Sequence, residues 1–128
     1  MIKTFGIDYG QSKIGIAVGI GTLAEPLKVV RVSSFADALE KIEKEVELMK
    51  PDKVVVGVSE GEMGKESLEF SLSLGKVLEI PVETYDETLS TQDAQQLSRQ
   101  AGIRQKRAKE MEDAYAASIM LQNYLDST

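Results

Sequence analysis

Residues 1–20 read MIKTFGIDYGQSKIGIAVGI, and this stretch predicts the start of a β-sheet. Met1–Tyr9 and Lys13–Ile20 are short runs rich in β-forming residues, and the polar link between them is typical of a hairpin turn. Pro26–Val32 predicts a third strand, introduced by turn-forming residues that end at Pro26. The chain is therefore expected to begin with three strands in a meander.

Beyond the hairpin, apolar periodicity alternates between helix and strand. The predicted elements are, in order, a helix capped by Ser33 or Ser34 and ended by Pro51, a strand at Lys53–Val58, a helix at about Lys65–Leu78, a strand at Val82–Tyr85, a helix from Ser90 or Thr91 to about Gln100, and a helix at about Gln105–Leu125. The order β-β-β-α-β-α-β-α-α predicts an α/β fold with a mixed five-stranded sheet and helices on both faces. We expect a single domain over residues 1–128.

The composition excludes several kinds of chemistry. The 128 residues include no His and no Cys, which excludes a Ser-His-Asp triad, thiolate catalysis, disulfides and zinc ribbons. Carboxylates, Lys, Tyr, hydroxyls or a hard cation held by oxygen ligands remain. With 15 basic and 21 acidic residues the net charge is −6, so a nucleic-acid site requires a local basic patch or a metal. No signal peptide or membrane span is recognisable, which predicts a cytoplasmic protein without a membrane partner.

Acidic residues follow two of the predicted strands. Asp8 comes at the carboxyl end of the first strand, where ligand sites of open α/β sheets gather, although Asp before Gly is also common in plain turns. The pair Asp86 and Glu87 occupies the equivalent place after the last strand. Acids there also stabilise the dipole of a following helix without any catalytic role. Both positions are candidates for catalytic carboxylates.

Asp113 is the most informative of the acids. It shares a helical stripe with Ala116, Ala117, Met120 and Tyr124, and this stripe predicts that its carboxylate faces the sheet. A carboxylate buried there requires a cation, a donor or a proton. The alternative is a helix register in which Asp113 lies at the edge of the stripe and reaches water.

Three acids from separate elements suit a divalent metal site. Mg²⁺ or Mn²⁺ prefers carboxylate oxygens, and two such ions can activate water and stabilise the leaving oxygen of a phosphodiester. The candidate ligands are Asp8, Glu87 or Asp86, and Asp113. Glu60 is a reserve ligand after the central strand, although it and Glu62 also suit solvated loop positions.

A basic segment precedes Asp113. Residues 99–109 read RQAGIRQKRAK and contain five cations and no acid. The candidate nucleic-acid contacts are these five cations together with one lysine of the first hairpin, namely Arg99, Arg104, Lys106, Arg107, Lys109 and Lys13. The alternative is a solvated connection between helices. Because no aromatic residue interrupts the segment, base stacking on it is not expected.

Together these motifs resemble the YqgF/RuvX family, and the resemblance covers nearly the whole chain. Gly6–Gly10 followed by Lys13–Val18 is similar to the opening strand, turn and strand of the family. Asp86–Thr91, DETLST, is similar to the family's Asp-Glu-Arg-Leu-Ser/Thr-Thr stretch. Asp113 with the alanines and apolar residues up to Leu125 is similar to its terminal helix.

The resemblance implies a ribonuclease H-like fold and metal-dependent phosphodiester hydrolysis. It implies Asp8, the Asp86–Glu87 pair and Asp113 as the acidic set, with Glu87 the favoured member of the pair. It also implies two divalent ions, Mg²⁺ or Mn²⁺, in the substrate complex. The implied role is trimming of the 5′ end of pre-16S rRNA in ribosome biogenesis, with structured RNA as substrate and ribosomal particles as partners. Branched DNA of the Holliday-junction type is the alternative substrate.

The chain departs from the family pattern at two places. Thr88 stands where the family has Arg, and Gly57–Gly61 replaces the family's Gly-Leu-Pro turn. These departures leave open a non-catalytic member of the fold that binds RNA or protein. The first motif also resembles the phosphate-binding hairpin of actin-like ATPases, but 128 residues do not supply the two domains that such enzymes need.

Overall fold

The computed structural model describes residues 1–86 and 105–127, with side chains of the second segment described from Glu110 onward. In chain order the described elements are β1 (Lys3–Asp8), β2 (Lys13–Ile20), β3 (Leu23–Arg31), α1 (Phe35–Met49), β4 (Lys53–Val58), α2 (Gly61–Val77), β5 (Val82–Asp86) and α3 (Gln105–Asp126). The helix predicted from Ser90 or Thr91 to Gln100 lies outside the described residues. None of the described helices has both the length and the apolar character that crossing a membrane would require.

The five strands form one sheet in the order β3-β2-β1-β4-β5. β1 pairs antiparallel with β2, and β2 pairs antiparallel with β3. On the other side β1 pairs parallel with β4, and β4 with β5. The mixed sheet predicted from the element order is therefore confirmed.

Pro26 does not introduce the third strand, as the sequence predicted, but lies inside it. β3 starts earlier, at Leu23, and its register with β2 shifts between Ile16 and Ala17, opposite Pro26 and Lys28. Proline has no backbone N–H and is tolerated in sheets at edges and bulges. β3 is an edge strand with a bulge at this point, so it accepts Pro26 without losing a buried hydrogen bond.

α2 begins at Gly61, four residues before the predicted start. The glycines of the SEGEMG stretch favoured a loop, but Gly64 is needed for packing within the first turn of this helix. A Cβ at Gly64 would overlap the carbonyl oxygen of Ser59. By contrast, α1 begins as predicted, since the Ser34 side chain accepts a hydrogen bond from the Asp37 backbone N–H.

Apolar side chains of the sheet point in alternation to two cores. On the first face, β1, β2 and β4 pack against α1 and α2, with Phe5, Ile7, Ile16, Val56, Ile42 and Phe70 fully buried. On the second face the sheet packs against α3, through Ala17, Val55, Ala117, Met120, Leu121 and Tyr124. We call these the α1/α2 face and the α3 face. Helices on both faces were predicted and are confirmed.

A hydrogen-bonded chain holds the end of α3 on the sheet. The Lys53 ammonium donates to the Tyr124 hydroxyl over 2.7 Å, and that hydroxyl donates to the Glu83 carboxylate over 2.6 Å. These bonds lower the pKa of Glu83 and raise the pKa of Lys53, in each case chiefly through the Tyr124 hydroxyl. The hydroxyl thus links α3 to β4 and β5.

Tyr124→Phe is expected to lower the free energy of unfolding by about 0.5–1.5 kcal/mol, because Lys53 and the exposed Glu83 lose the hydroxyl they share while they keep a direct ion pair at 3.5 Å. The pKa of Glu83 is lower in the folded protein than in the unfolded chain. Its hydrogen bond with Tyr124 therefore stabilises the fold fully above the ordinary carboxyl pKa, and this stabilisation is lost as the pH falls through the folded pKa. The difference in free energy of unfolding between Tyr124→Phe and the wild type should therefore become smaller below about pH 4.

Urea denaturation at several pH values measures this effect. Tyr115→Phe on the same helix is the control, since the Tyr115 hydroxyl has no hydrogen-bond partner among the described residues. An equal loss of stability in both variants would show that the Tyr124 hydroxyl has no special role.

Candidate active site

Asp8 lies at the carboxyl end of β1, between two glycines. Its neighbour across β2 is Gly15 and its neighbour across β4 is Gly57. Asp8 follows Gly6 on the α3 face, where a Cβ at Gly6 would press on Leu121. The half-buried Asp8 therefore lies on the α3 face, between two positions of the sheet that have no side chain.

α3 brings Asp113 to the same place. A Cβ at Gly15 would overlap the main-chain carbonyl of Asp113, so the helix backbone rests directly on this glycine. The predicted stripe is also confirmed, since Ala116, Ala117 and Met120 are almost completely buried. Asp8 and Asp113 are thus both immediate neighbours of Gly15, one across the sheet and one above it. The Asp113 side chain itself is 31% exposed, which places it at the rim of the stripe.

Lys13 forms an ion pair with Asp113. It lies two positions before Gly15 in β2 and therefore on the same face. Its Nζ is 3.5 Å from Asp113 Oδ2, and 42% of its side chain is exposed. The ammonium offsets part of the negative charge that Asp8 and Asp113 bring together.

Asp86 lies at the same edge of the sheet but on the other face. It is the register partner of Val58 at the ends of β5 and β4. Val82, four positions earlier, packs on the α1/α2 face, while Tyr85 contacts Tyr124 with ring centroids 5.9 Å apart on the α3 face. By alternation Asp86 is directed away from the face of Asp8. Glu87, the other member of the pair, lies outside the described residues.

The α1/α2 face has a pocket of about 350 Å³ at this edge. It is lined by Val58, Ser59, Glu60, Leu68, Thr84, Tyr85 and Asp86. Glu60, the reserve ligand, is the exposed N-cap residue of α2 and belongs to this pocket. Glu62 is 95% exposed beside Lys65, in agreement with a solvated position.

The basic segment enters α3 before Asp113. Lys106, Arg107 and Lys109 belong to the first turns of this helix, whose start at Gln105 agrees with the prediction. Their side chains, and the whole of Arg99 and Arg104, lie outside the described residues. Their role as nucleic-acid contacts stays a prediction.

Tyr9, next to Asp8, holds the hairpin on α2. Its hydroxyl donates to Glu66 Oε1 over 3.2 Å, and the Gln11 amide donates to Glu66 Oε2 over 2.9 Å. Its ring packs on Phe70. Burial, the hydrogen bond and the charge of Glu66 raise the pKa of Tyr9 to about 12, so the phenol stays neutral and is no proton acceptor. Tyr9 and Glu66 position the segment that carries Asp8.

Sequence reasoning missed Glu66 and the role of Gly15. Nothing local in the sequence distinguishes Glu66 from the other acids of α2, because its partners belong to the distant hairpin. Gly15, in contrast, had a readable signal. Glycine within an apolar strand often marks the close approach of another backbone, and here that backbone is α3.

The described carboxylates are of the ligand type that divalent cations such as Mg²⁺ and Mn²⁺ bind. Asp8 and Asp113 offer oxygen ligands, and the glycines at positions 15 and 57 leave the sheet surface beside Asp8 without side chains. Within residues 1–86 and 110–127, no three Asp or Glu side chains lie close enough together to hold a metal ion between them.

The fold belongs to the ribonuclease H-like class of folds. The Holliday junction resolvase of fowlpox virus matches with a TM-score of 0.68 at 10% identity, over 99% of this chain and 100% of the resolvase. RuvC of T. thermophilus, solved with a Holliday junction substrate, matches with a TM-score of 0.65 at 18% identity, over 99% and 95% of the two chains.

Within that class, this chain belongs to the RuvX family, described as Holliday junction resolvase, which matches residues 2–127. A similar protein from Caldanaerobacter subterraneus subsp. tengcongensis, named "Putative pre-16S rRNA nuclease", is 34% identical over 98% of this chain and 97% of the relative. A protein of the same name from Oceanobacillus iheyensis is 33% identical, over 98% of each chain. The family recognised from the motifs is confirmed.

Proposed function

We propose that the protein is a divalent-metal-dependent nuclease that hydrolyses phosphodiester bonds at the 5′ end of pre-16S rRNA. The observation that carries the proposal is the meeting of Asp8 and Asp113 around Gly15, in a chain of the RuvX family. The names of relatives that match nearly its full length support pre-16S rRNA as the substrate. We therefore propose ribosomal particles that contain this precursor RNA as partners of the protein.

Asp8 and Asp113 are proposed as metal ligands, with Glu87 as the third. Asp86 is a weaker candidate, because strand alternation directs it to the α1/α2 face. When held by these residues, Mg²⁺ or Mn²⁺ would supply an activated water and would stabilise the charge of the leaving oxygen. The two aspartates hold their oxygens in place through the rigid contact of β1, β2 and α3. Tyr9 stays protonated and secures the hairpin.

A local basic surface is proposed to receive the nucleic acid. The chain as a whole carries a net charge of −6, which repels a polyanion. Lys13 offsets part of this repulsion beside Asp113, and the cations of residues 99–109, which precede Asp113 in the sequence, are proposed to add to this effect. Arg107 and Lys109 precede Asp113 on the same helix, and we propose them as phosphate contacts.

Branched DNA is the second candidate substrate. It is favoured by the description of the family that matches this chain, which is Holliday junction resolvase. Both substrates contain the same phosphodiester bond and require the same carboxylates. The two candidates differ in the nucleic acid recognised and not in the chemistry.

Cleavage assays with both nucleic acids test the proposal. Purified protein is incubated with 5′-labelled precursor rRNA or a labelled four-way DNA junction, in Mn²⁺, in Mg²⁺ or in EDTA. We expect cleavage of the precursor near the mature 5′ end, and a loss of at least about 100-fold in EDTA.

The results separate the candidates. Cleavage of the junction alone would favour the resolvase function. Binding of RNA with no cleavage in either metal would contradict a nuclease and favour a non-catalytic member of the fold. Cleavage that persists in EDTA would contradict the proposed dependence on metal.

A further inference from the structure

Lys13 and Asp113 form an ion pair that solvent can reach. The Nζ to Oδ2 distance is 3.5 Å, and the two side chains are 42% and 31% exposed. Pairs of this kind contribute little to stability, because water screens them and ordering of the side chains costs entropy. The contact is therefore easily exchanged for another partner.

We propose that Lys13 is an exchangeable counter-ion of the site, which competes with a divalent cation for Asp113 and contacts a substrate phosphate once it is displaced. The inference rests on the proposed function and adds a role to it. In this scheme Lys13 contacts a phosphate next to the reacting phosphodiester and does not contact the reacting group itself. It is therefore a positioning residue.

The charges at the site support this exchange. Asp8 and Asp113 both adjoin Gly15, and Lys13 two positions away brings one positive charge to them. A divalent cation on Asp113 would meet the ammonium at close range and repel it. The Lys13 side chain lies on the α3 face and is 42% exposed, so a released ammonium would be accessible to a phosphate from solvent.

Mn²⁺ binding without substrate is the first test. We expect Lys13→Met to bind Mn²⁺ about three- to tenfold more tightly than the wild type, because a competing positive charge is removed. Electron paramagnetic resonance of free Mn²⁺ measures the affinity, and circular dichroism confirms the fold. Lys28→Met is the matched control, since Lys28 is 47% exposed and also ion-paired, with Glu45 at 2.8 Å, on a different part of the surface.

RNA binding is the second test, with labelled precursor rRNA in Ca²⁺ or in EDTA. In Ca²⁺ we expect Lys13→Met to bind more weakly, with a slope of log affinity against log salt that is smaller by about 0.7–0.9. In EDTA, where Lys13 remains on Asp113, Lys13→Met should weaken binding less than it does in Ca²⁺ and leave the salt slope unchanged, because no phosphate contact is lost there. Lys28→Met should match the wild type in both conditions.

The outcomes distinguish this inference from the proposed function. If the wild type binds Mn²⁺ and Lys13→Met binds it equally well or less tightly, the counter-ion role is wrong while the metal site stands. Equal weakening of RNA binding in Ca²⁺ and in EDTA would also overturn the exchange, since it would show a permanent phosphate contact. If the wild type binds no Mn²⁺, both the metal site and the role of Lys13 are wrong.

Discussion

Asp8→Asn should reduce the rate of phosphodiester cleavage at least about 100-fold while the protein remains folded. The amide keeps the shape of the side chain but removes the negative charge that attracts a divalent ion. Gly15 and Gly57 flank Asp8, so the adjacent strands offer no replacement carboxylate at that position of the sheet. The loss should persist at saturating substrate, because the missing ligand serves the chemical step.

Single-turnover cleavage in Mn²⁺ measures this rate, and thermal denaturation in EDTA checks the fold. We expect the midpoint of the variant to lie up to a few degrees above that of the wild type, because the change removes one of two neighbouring like charges. Glu62→Gln makes the same change of charge at a side chain that is 95% exposed, and it should cleave normally. Cleavage by Asp8→Asn within a fewfold of the wild type would remove Asp8 from the catalytic set.

Local patterns in the sequence predicted most of the fold. The alternation of strands and helices depends on neighbours along the chain, which explains why β2, β4 and α3 begin at or near their predicted residues. Pro26 shows where local rules fail. A proline usually opens a turn, but the position of β3 at the edge of the sheet permits it inside a strand.

The site was less predictable, because its contacts join residues far apart in the chain. Placing Asp8 and Asp113 at one end of the sheet required only topology, and the structure brings both to Gly15. The pairing of Lys13 with Asp113 required the register of α3 on β2, which periodicity does not contain. Asp86 lies on the α1/α2 face by the observed alternation of β5, and the sequence alone did not reveal this.

Gly15→Ala is the substitution expected to damage both the fold and the site. The new methyl group would overlap the Asp113 carbonyl, and a helix backbone cannot yield as a flexible side chain would. We expect the free energy of unfolding to fall by about 1–3 kcal/mol. The surviving folded protein should cleave about 100-fold more slowly, since a shift of about 1 Å in Asp113 relative to Asp8 is enough for such a loss.

Gly75→Ala is the matched control for this prediction. Gly75 is exposed within α2, and its new Cβ would meet only Val82 Cβ at 3.9 Å, an ordinary contact. Alanine should raise the free energy of unfolding by about 0.5–1 kcal/mol through helix propensity and leave cleavage unchanged. Urea denaturation and single-turnover cleavage at a temperature where both variants are folded provide the comparison. Normal cleavage by Gly15→Ala would mean that the distance of α3 from β2 does not control the site, which would contradict the joint action of Asp8 and Asp113.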